Sequence, residues 1–396
     1  MHEDFMRIFS DDKKKEELML VFDIGSSSVG GALFLMQNSR VPKIIFSIRE
    51  SITLQKDLNA DQFLSFTIKS LDIIVNKIYM AKLGAPKRIF CVLSSPWHVS
   101  QARVIKLAKN TPFVFTSKLA DSLIQKEISL FEEEHLTKYA NTGSSFRSIE
   151  FKNIKTMLNG YETSQPLNQK VKEIEMTVFI SISEELVLKK IEETIGQYFH
   201  FKEIKFSSFV IASFTIVRDI YINQENFLLI EIGGEVTDIS MIKKNTLRES
   251  SSFPLGRNFI IRGVSSILRS SLDEAKSFIS LFQNGHTALD MSKKLSPIID
   301  KLKMEWLQKF QESLANLSND ISIPETIYMV VDKDLAGFFC ETIENEQFNQ
   351  YTLTESKFKV VFLSVEVFHG MATFEENIVR DSGLIIDSIY INRFLK

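Results

Sequence analysis

Short apolar runs alternate with amphipathic stretches along almost the whole chain, and each change of period predicts a change of element. After a charged opening (residues 1–17), Leu18–Ile24 is an apolar run that reads as a buried strand. Gly30–Met36 reads as its hairpin partner and Val41–Ile48 as a third strand. Phe63, Phe66, Leu71, Ile74, Val75 and Ile78 recur mostly at three- and four-residue steps. They predict a helix over Asp61–Lys82, capped by Asp61 and ended by Gly84-Ala85-Pro86. Arg88–Leu93 is another strand. Between 96 and 182 the pattern gives a strand (Ala102–Ala108), a helix (Ser117–Glu134), an extended run (Ser145–Leu158), an Asn159-Gly160 turn and a strand (Val171–Ser181). Glu184–Gly196 and Ile211–Tyr221 read as helices around a strand at Phe201–Phe209. Later come helices over Asn258–Arg269, Leu272–Leu281 and Pro297–Leu317, the last with Ser296 as cap and Pro297 at its first position. Strand Thr326–Val331, helix Asp334–Ile343 and strand Phe358–Leu363 follow, then a helix within Glu375–Asn392 that Gly383 interrupts. Strands and helices that alternate in this way predict an α/β fold.

One design occurs twice. Leu18–Ile24 ends in Gly25-Ser26-Ser27-Ser28 and a returning strand. Phe227–Ile232 ends in Gly233-Gly234 and a returning strand, Val236–Ile242, which is followed by Thr246–Phe253. Glycines between strands let backbone N–H groups come close to an anion. Each turn has a carboxylate just before it, Asp23 or Glu231, and Asp238 follows the second. Two such turns half a chain apart suit a duplicated nucleotide cleft.

Asp23–Leu33, DIGSSSVGGAL, resembles the first phosphate motif of the actin-like ATPases, and Glu231–Ile239, EIGGEVTDI, resembles the second. Pro254–Asn258, PLGRN, is similar to the Pro-x-Gly-Gly segment of the FtsA and PilM branch. The order and spacing match over nearly the whole chain. The resemblance implies a two-lobed actin-like ATPase fold, of the duplicated ribonuclease H-like kind, with an inserted α+β module of the SHS2 type (domain 1C). The expected division is a tail at 1–17, subdomain 1A at 18–95, the module at 96–182, a second lobe (2A/2B) at 183–357 and a return to the first lobe at 358–396. Asn159-Gly160-Tyr161 and the run after it resemble FtsA, yet the module does not separate the two families.

The resemblance also implies site roles. Gly25, Ser26, Ser27, Ser28, Gly233, Gly234, Glu235, Val236, Thr237, Asp238, Gly256 and Arg257 would surround ATP, and Glu274 and Lys276 would reach the ribose. Asp23 would hold Mg2+ through water, because magnesium keeps several of its waters. Glu231 would contact the metal and orient the attacking water as the catalytic acid. The chain departs from the family pattern at several of these points. Glu231 replaces an aspartate, and a displacement of about an ångström can cost roughly a hundredfold in rate. Glu235 replaces a third glycine and adds a like charge near phosphate; Val236 replaces a hydroxyl residue; Arg257 replaces a glycine. Val331-Asp332-Lys333 stands where relatives carry the Gly-Gly pair beside adenine, and Glu274-Ala275-Lys276 has an unusual spacing. These changes imply weak ATP binding with slow or absent hydrolysis, so at most a weak ATPase.

Composition adds exclusions. Net charge is −3, so no basic surplus points to nucleic acid, and 44% hydrophobic with 24% charged residues is ordinary for a globular chain. The 33 phenylalanines read as core. Cys91 and Cys340 lie in apolar segments and read as buried thiols of a reducing compartment. The histidines lack metal-ligand spacing. With no signal-peptide pattern or membrane-length apolar run, a cytoplasmic protein is expected. The family resemblance implies a scaffold that recruits proteins of an inner-membrane machine, either division-ring or pilus components, with self-assembly into a homo-oligomer or filament. The chain stops at IYINRFLK, without the linker and amphipathic helix usual in FtsA. Membrane contact is therefore expected through partners, in the PilM manner. A sugar- or acetate-type kinase of the same superfamily needs an acceptor site with a catalytic Asp and an intact adenine loop. A DnaK-type chaperone needs a long C-terminal peptide-binding domain. Neither set of features is present in the sequence.

Overall fold

Strand β1 (Glu17–Ile24) is apolar at nearly every position because both of its faces are covered; Met19, Leu20, Val21 and Phe22 have no solvent exposure. β2 (Ser28–Met36) returns antiparallel beside it, and β3 (Lys43–Ser51) continues the meander. Helix α1 (Ala60–Met80) packs Leu71, Ile74 and Ile78 on one face of this sheet, and β4 (Arg88–Leu93) pairs parallel with β1. The cap of α1 is Asn59, whose side chain accepts from the Gln62 amide at 3.1 Å. The expected cap, Asp61, lies in the first turn. These features belong to a computed structural model that describes residues 16–37, 41–57, 59–138, 145–317, 322–346 and 357–394. The expected N-terminal tail falls almost wholly outside them.

β5 (Val99–Val114), α2 (Ser117–Lys138), β6 (Phe146–Leu158), β7 (Tyr161–Glu162) and β8 (Lys170–Glu184) form a second unit. Its antiparallel sheet has the order β5-β8-β6-β7, with the Ile174–Ile182 face of β8 packed on Phe131 of α2. The chain then rejoins the first sheet. α3 (Glu185–Gly196) lies beside α1, and β9 (Ile204–Ser208) adds parallel to β4. Residues 185–208 thus belong with the first lobe rather than to a second lobe beginning at 183, because the free edge of β4 offers the ladder that β9 fills.

α4 (Phe209–Ile220) leads into the second sheet, built from β10 (Phe227–Ile232), β11 (Thr237–Lys243) and β12 (Thr246–Phe253). Helices α5 (Arg257–Leu268), α6 (Leu272–Gln283) and α7 (Leu289–Leu317) follow. β13 (Thr326–Val331), α8 (Lys333–Glu344) and β14 (Lys359–Phe362) complete this lobe. β14 pairs with β13, so the second lobe extends past the expected boundary at 358. α7 begins well before Ser296 and carries Pro297 inside it. Leu295, Ile298 and Ile299 are buried on the second core, and their packing carries the helix through a position that lacks an N–H. Finally β15 (Thr373–Phe374) pairs with β3, and α9 (Ser382–Phe394) crosses back. Gly383 sits in the first turn of α9 and does not interrupt it.

The two large sheets repeat one plan, β15-β3-β2-β1-β4-β9 and β12-β11-β10-β13-β14. In each, a central strand has a hairpin partner on one side and a parallel strand on the other. α4 and α9 lie between them. Ile211–Val217 and Leu384–Asn392 are continuous buried runs, because a helix covered on all sides has no polar face to keep. One core joins Val21 and Phe34 of the first sheet to Leu229 and Tyr328 of the second through these helices.

Candidate functional site

Both glycine turns open at the ends of β1 and β10, above the N-termini of α4 and α9. The structure brings Asp23, Gly25, Ser26, Ser27, Ser28, Glu231 and Gly233 to one cavity of about 230 Å3, together with Arg49, Asp332, Arg380 and Asp381. This is below the roughly 300 Å3 at which small-molecule pockets usually begin. The tips of the turns touch. A Cβ on Gly234 would lie 2.4 Å from the Ser26 carbonyl oxygen, so only glycine permits this approach. Across the same gap the Glu235 amide donates to Ser26 Oγ at 3.1 Å.

Asp23 is buried and occupied. Arg49 Nη2 donates to its Oδ2 at 2.6 Å, while Nε and Nη2 form a fork on Asp381 at 2.6 and 2.8 Å, and Nη1 reaches Ser28 Oγ at 3.0 Å. Every terminal nitrogen of the guanidinium is bonded. Two glycines make room for the pair. A Cβ on Gly30 would meet Arg49 Nη2 at 2.9 Å, and one on Gly383 would meet Asp23 Oδ2 at 2.9 Å. Burial raises the Asp23 carboxyl, and Arg49 opposes that rise. For Asp381, burial pushes the same way, but Arg49 outweighs it and holds the group below its usual range. Asp387, one and a half turns further along α9, is fully buried with neither oxygen hydrogen-bonded; burial, then Asp23, raises it well above the carboxylate range.

Magnesium does not fit this arrangement, because Arg49 already occupies the oxygens of Asp23 and Asp381 that would face it and satisfies their charge. Nor do three Asp, Glu, His or Cys side chains converge to hold a metal among the described residues. Glu231 also lacks the features of a free carboxylate. Burial, then the charge of Asp238 opposite it, raises its pKa well above the usual value, against a hydrogen bond from Ser94. Asp238 is raised by burial and accepts from Ser252 and, across the lobes, from Ser95 at 3.0 Å.

The remaining expected residues point elsewhere. The Glu235 carboxylate turns from the cleft to a fork on Arg262 at 2.6 and 2.7 Å and to Asn258 at 2.8 Å, so it puts no charge beside phosphate. Arg262 also donates to the Gln55 carbonyl of the first lobe at 2.7 Å. Val236 closes its turn by accepting from the Gly233 amide at 2.9 Å. Thr237 Oγ1 donates to Leu255 O at 2.8 Å and faces Trp306 in the core. Gly256 lies against the second turn, whose Gly233 and Gly234 carbonyls accept the first amides of α5 at 2.9 Å. Arg257 pairs with Asp332 and, at 3.6 Å, with Asp334; Ser27 donates to the same Asp332 at 3.3 Å. Asp332 and Ser27 line the cavity, and Arg257 ties Asp332 from outside it. Beyond it Lys276 lines a hollow of only about 10 Å3, and Glu274 closes a capping box with Ser271. No motif or period marks Arg49 or Asp381, and Asp332 stands out only as a departure from the Gly-Gly pair beside adenine. The one signal was Gly30-Gly31 inside a strand, which marks close approach; Arg49 is the cross-strand partner of Gly30.

Two lobes of repeated sheet plan, joined by two buried helices under a pair of glycine turns, define the actin-like ATPase fold, and this chain has it. No protein-family model matches the chain, and no curated protein matches it. Among solved structures it is similar to the PilM-PilN type IV pilus biogenesis complex, at 11% identity over 94% of this chain and 96% of that one, with a TM-score of 0.58. Ethanolamine utilization protein EutJ from Carboxydothermus hydrogenoformans also matches, at 10% identity over 95% and 89%, with a TM-score of 0.42. So does a Bacteroides thetaiotaomicron protein with actin-like ATPase fold and unknown function, at 10% over 96% and 98%, with a TM-score of 0.39. No helix among the described residues is long and apolar enough to cross a membrane.

Proposed function

We infer that this chain is a cytoplasmic scaffold of the PilM and FtsA kind, which uses the actin-like fold to recruit proteins of an inner-membrane machine. ATP binds weakly at most, and hydrolysis is slow or absent. The observation that carries the reading is the cleft itself: its acid Asp23 is held by Arg49, and Asp332 on its rim is paired with Arg257. Interactions that would serve a nucleotide instead join the protein to itself. The similarity to the PilM-PilN complex favours pilus assembly over cell division, with residues 96–182 as the module that meets partners or neighbouring copies. Membrane contact is then indirect. The kinase alternative is disfavoured by the cavity of about 230 Å3, which leaves little room for an acceptor beside a nucleotide.

Calorimetric titration of the full chain with ATP and ADP, paired with phosphate release, tests the nucleotide half. A dissociation constant near or above about 1 mM (roughly −4 kcal/mol) without turnover is expected. Micromolar binding with steady turnover overturns it. Vesicle co-sedimentation tests the other half: the pure protein should stay in the supernatant, and strong binding by it alone would refute recruitment through a partner.

A further inference from the structure

We propose that Arg49 is a resident substitute for the cleft's divalent cation, so that the acids of the cleft are neutralised without metal. The proposal concerns the cleft alone and holds whether or not the chain is a scaffold. Three observations converge on it. The arginine bonds both Asp23 and Asp381 at 2.6 Å, one carboxylate from the end of β1 and one from the start of α9. Its remaining terminal nitrogen reaches Ser28, in the turn that would otherwise face phosphate. And the slot it fills is shaped by two glycines from separate elements, Gly30 on β2 and Gly383 on α9, neither of which has space for a Cβ beside the pair.

A hydrated metal would do two things here. It would cancel the charge of a buried acid, and it would tie the first turn to the cleft floor. The guanidinium does both with fixed bonds, and it cannot lose its proton in a protein. It also differs from a metal in one respect that can be measured: it does not exchange with solution. The neutralised site therefore has no dependence on divalent ions, and chelators leave it unchanged. Arg262, which bridges Glu235 to the Gln55 carbonyl, and Arg257, which bridges to Asp332, extend the same device to the edges of the cleft. Of the three, Arg262 alone bonds groups of both lobes; Arg49 ties the first and Arg257 the second.

The test titrates Mn2+ against the full chain and follows the paramagnetic resonance signal of the free ion. Wild type and Asp23→Asn should give superimposable curves. Arg49→Ser frees both carboxylates and should gain one site at least roughly tenfold tighter than any in wild type. That site should vanish in Arg49→Ser/Asp23→Asn. A wild-type Mn2+ site that Asp23→Asn removes overturns the proposal, and so does a folded Arg49→Ser protein that gains none. If Arg49→Ser does not fold, the wild-type against Asp23→Asn comparison decides alone. Arg49→Lys, which keeps a cation in the slot, should bind Mn2+ as wild type does.

Discussion

Glu150 is where the inserted sheet is pinned to the floor of the cleft, and truncating it should uncouple the two. Its carboxyl group leaves β6, is 8% exposed, and accepts four hydrogen bonds: from Ser207 Oγ at 2.6 Å, the Ser208 amide at 2.9 Å, Ser208 Oγ at 2.8 Å and the Tyr390 hydroxyl at 2.7 Å. Ser208 immediately precedes α4 and Tyr390 lies on α9, so one side chain holds both floor helices. Hydrogen bonds to a carboxylate contribute about 1.5–3 kcal/mol each, but four do not add, because freed hydroxyls can turn to other acceptors. The Ser208 amide cannot turn. For Glu150→Ala, which leaves the buried Ser208 amide unpaired and opens a cavity, a loss of about 2–4 kcal/mol is expected. Glu150→Gln keeps one acceptor oxygen and should lose about half as much. The chain has two tryptophans, Trp97 at the module junction and Trp306 in the second lobe. Urea unfolding read from Trp97 fluorescence in a Trp306→Phe background therefore reports the junction. If Glu150→Ala leaves the Trp97 transition within about 0.5 kcal/mol of its parent, the pin is not what holds the module.

Two further outcomes concern the cleft. Glu231 titrates above its ordinary value of 4.5 in the folded chain, so folding disfavours its charged form. The protein is then most stable with respect to this group below pH 4.5 and loses that stability as pH rises towards the elevated folded value. Glu231→Gln should accordingly melt higher than wild type at pH 7 and coincide with it at pH 4; a lower melting temperature at pH 7 would refute the assignment. Gly383→Ala should destabilise by about 1–2 kcal/mol in denaturant titration. The added Cβ lies 2.9 Å from Asp23 Oδ2 and 3.2 Å from Arg49 Nη2, and this crowding outweighs the helix propensity that alanine brings. A variant more stable than wild type would contradict the tight slot.

Local pattern alone determined the α/β class and the two strand–glycine–strand turns. Strand and helix periods are written in neighbouring residues, and Leu18–Ile24 or Phe227–Ile232 has no other stable use in water. The same holds for the amphipathic stripe of α7, although Pro297 hides its start: packing of its own Leu295 and Ile299 against distant elements overrides a local signal. Tertiary structure decided which charges meet. Arg49 and Asp381 are 332 residues apart and Ser27 and Asp332 are 305 apart, and nothing in either segment names the other. Motif spacing placed Asp23 and the two turns in one cleft. The family resemblance implied Glu235, Gly256 and Glu274 at the nucleotide; in the fold Glu235 pairs with Arg262, Gly256 lies against the second glycine turn and Glu274 caps a helix. A side chain's type limits the bonds it can make. Which of those bonds it makes depends on the groups that folding carries to within about 3 Å, and that distance is set by the whole packing.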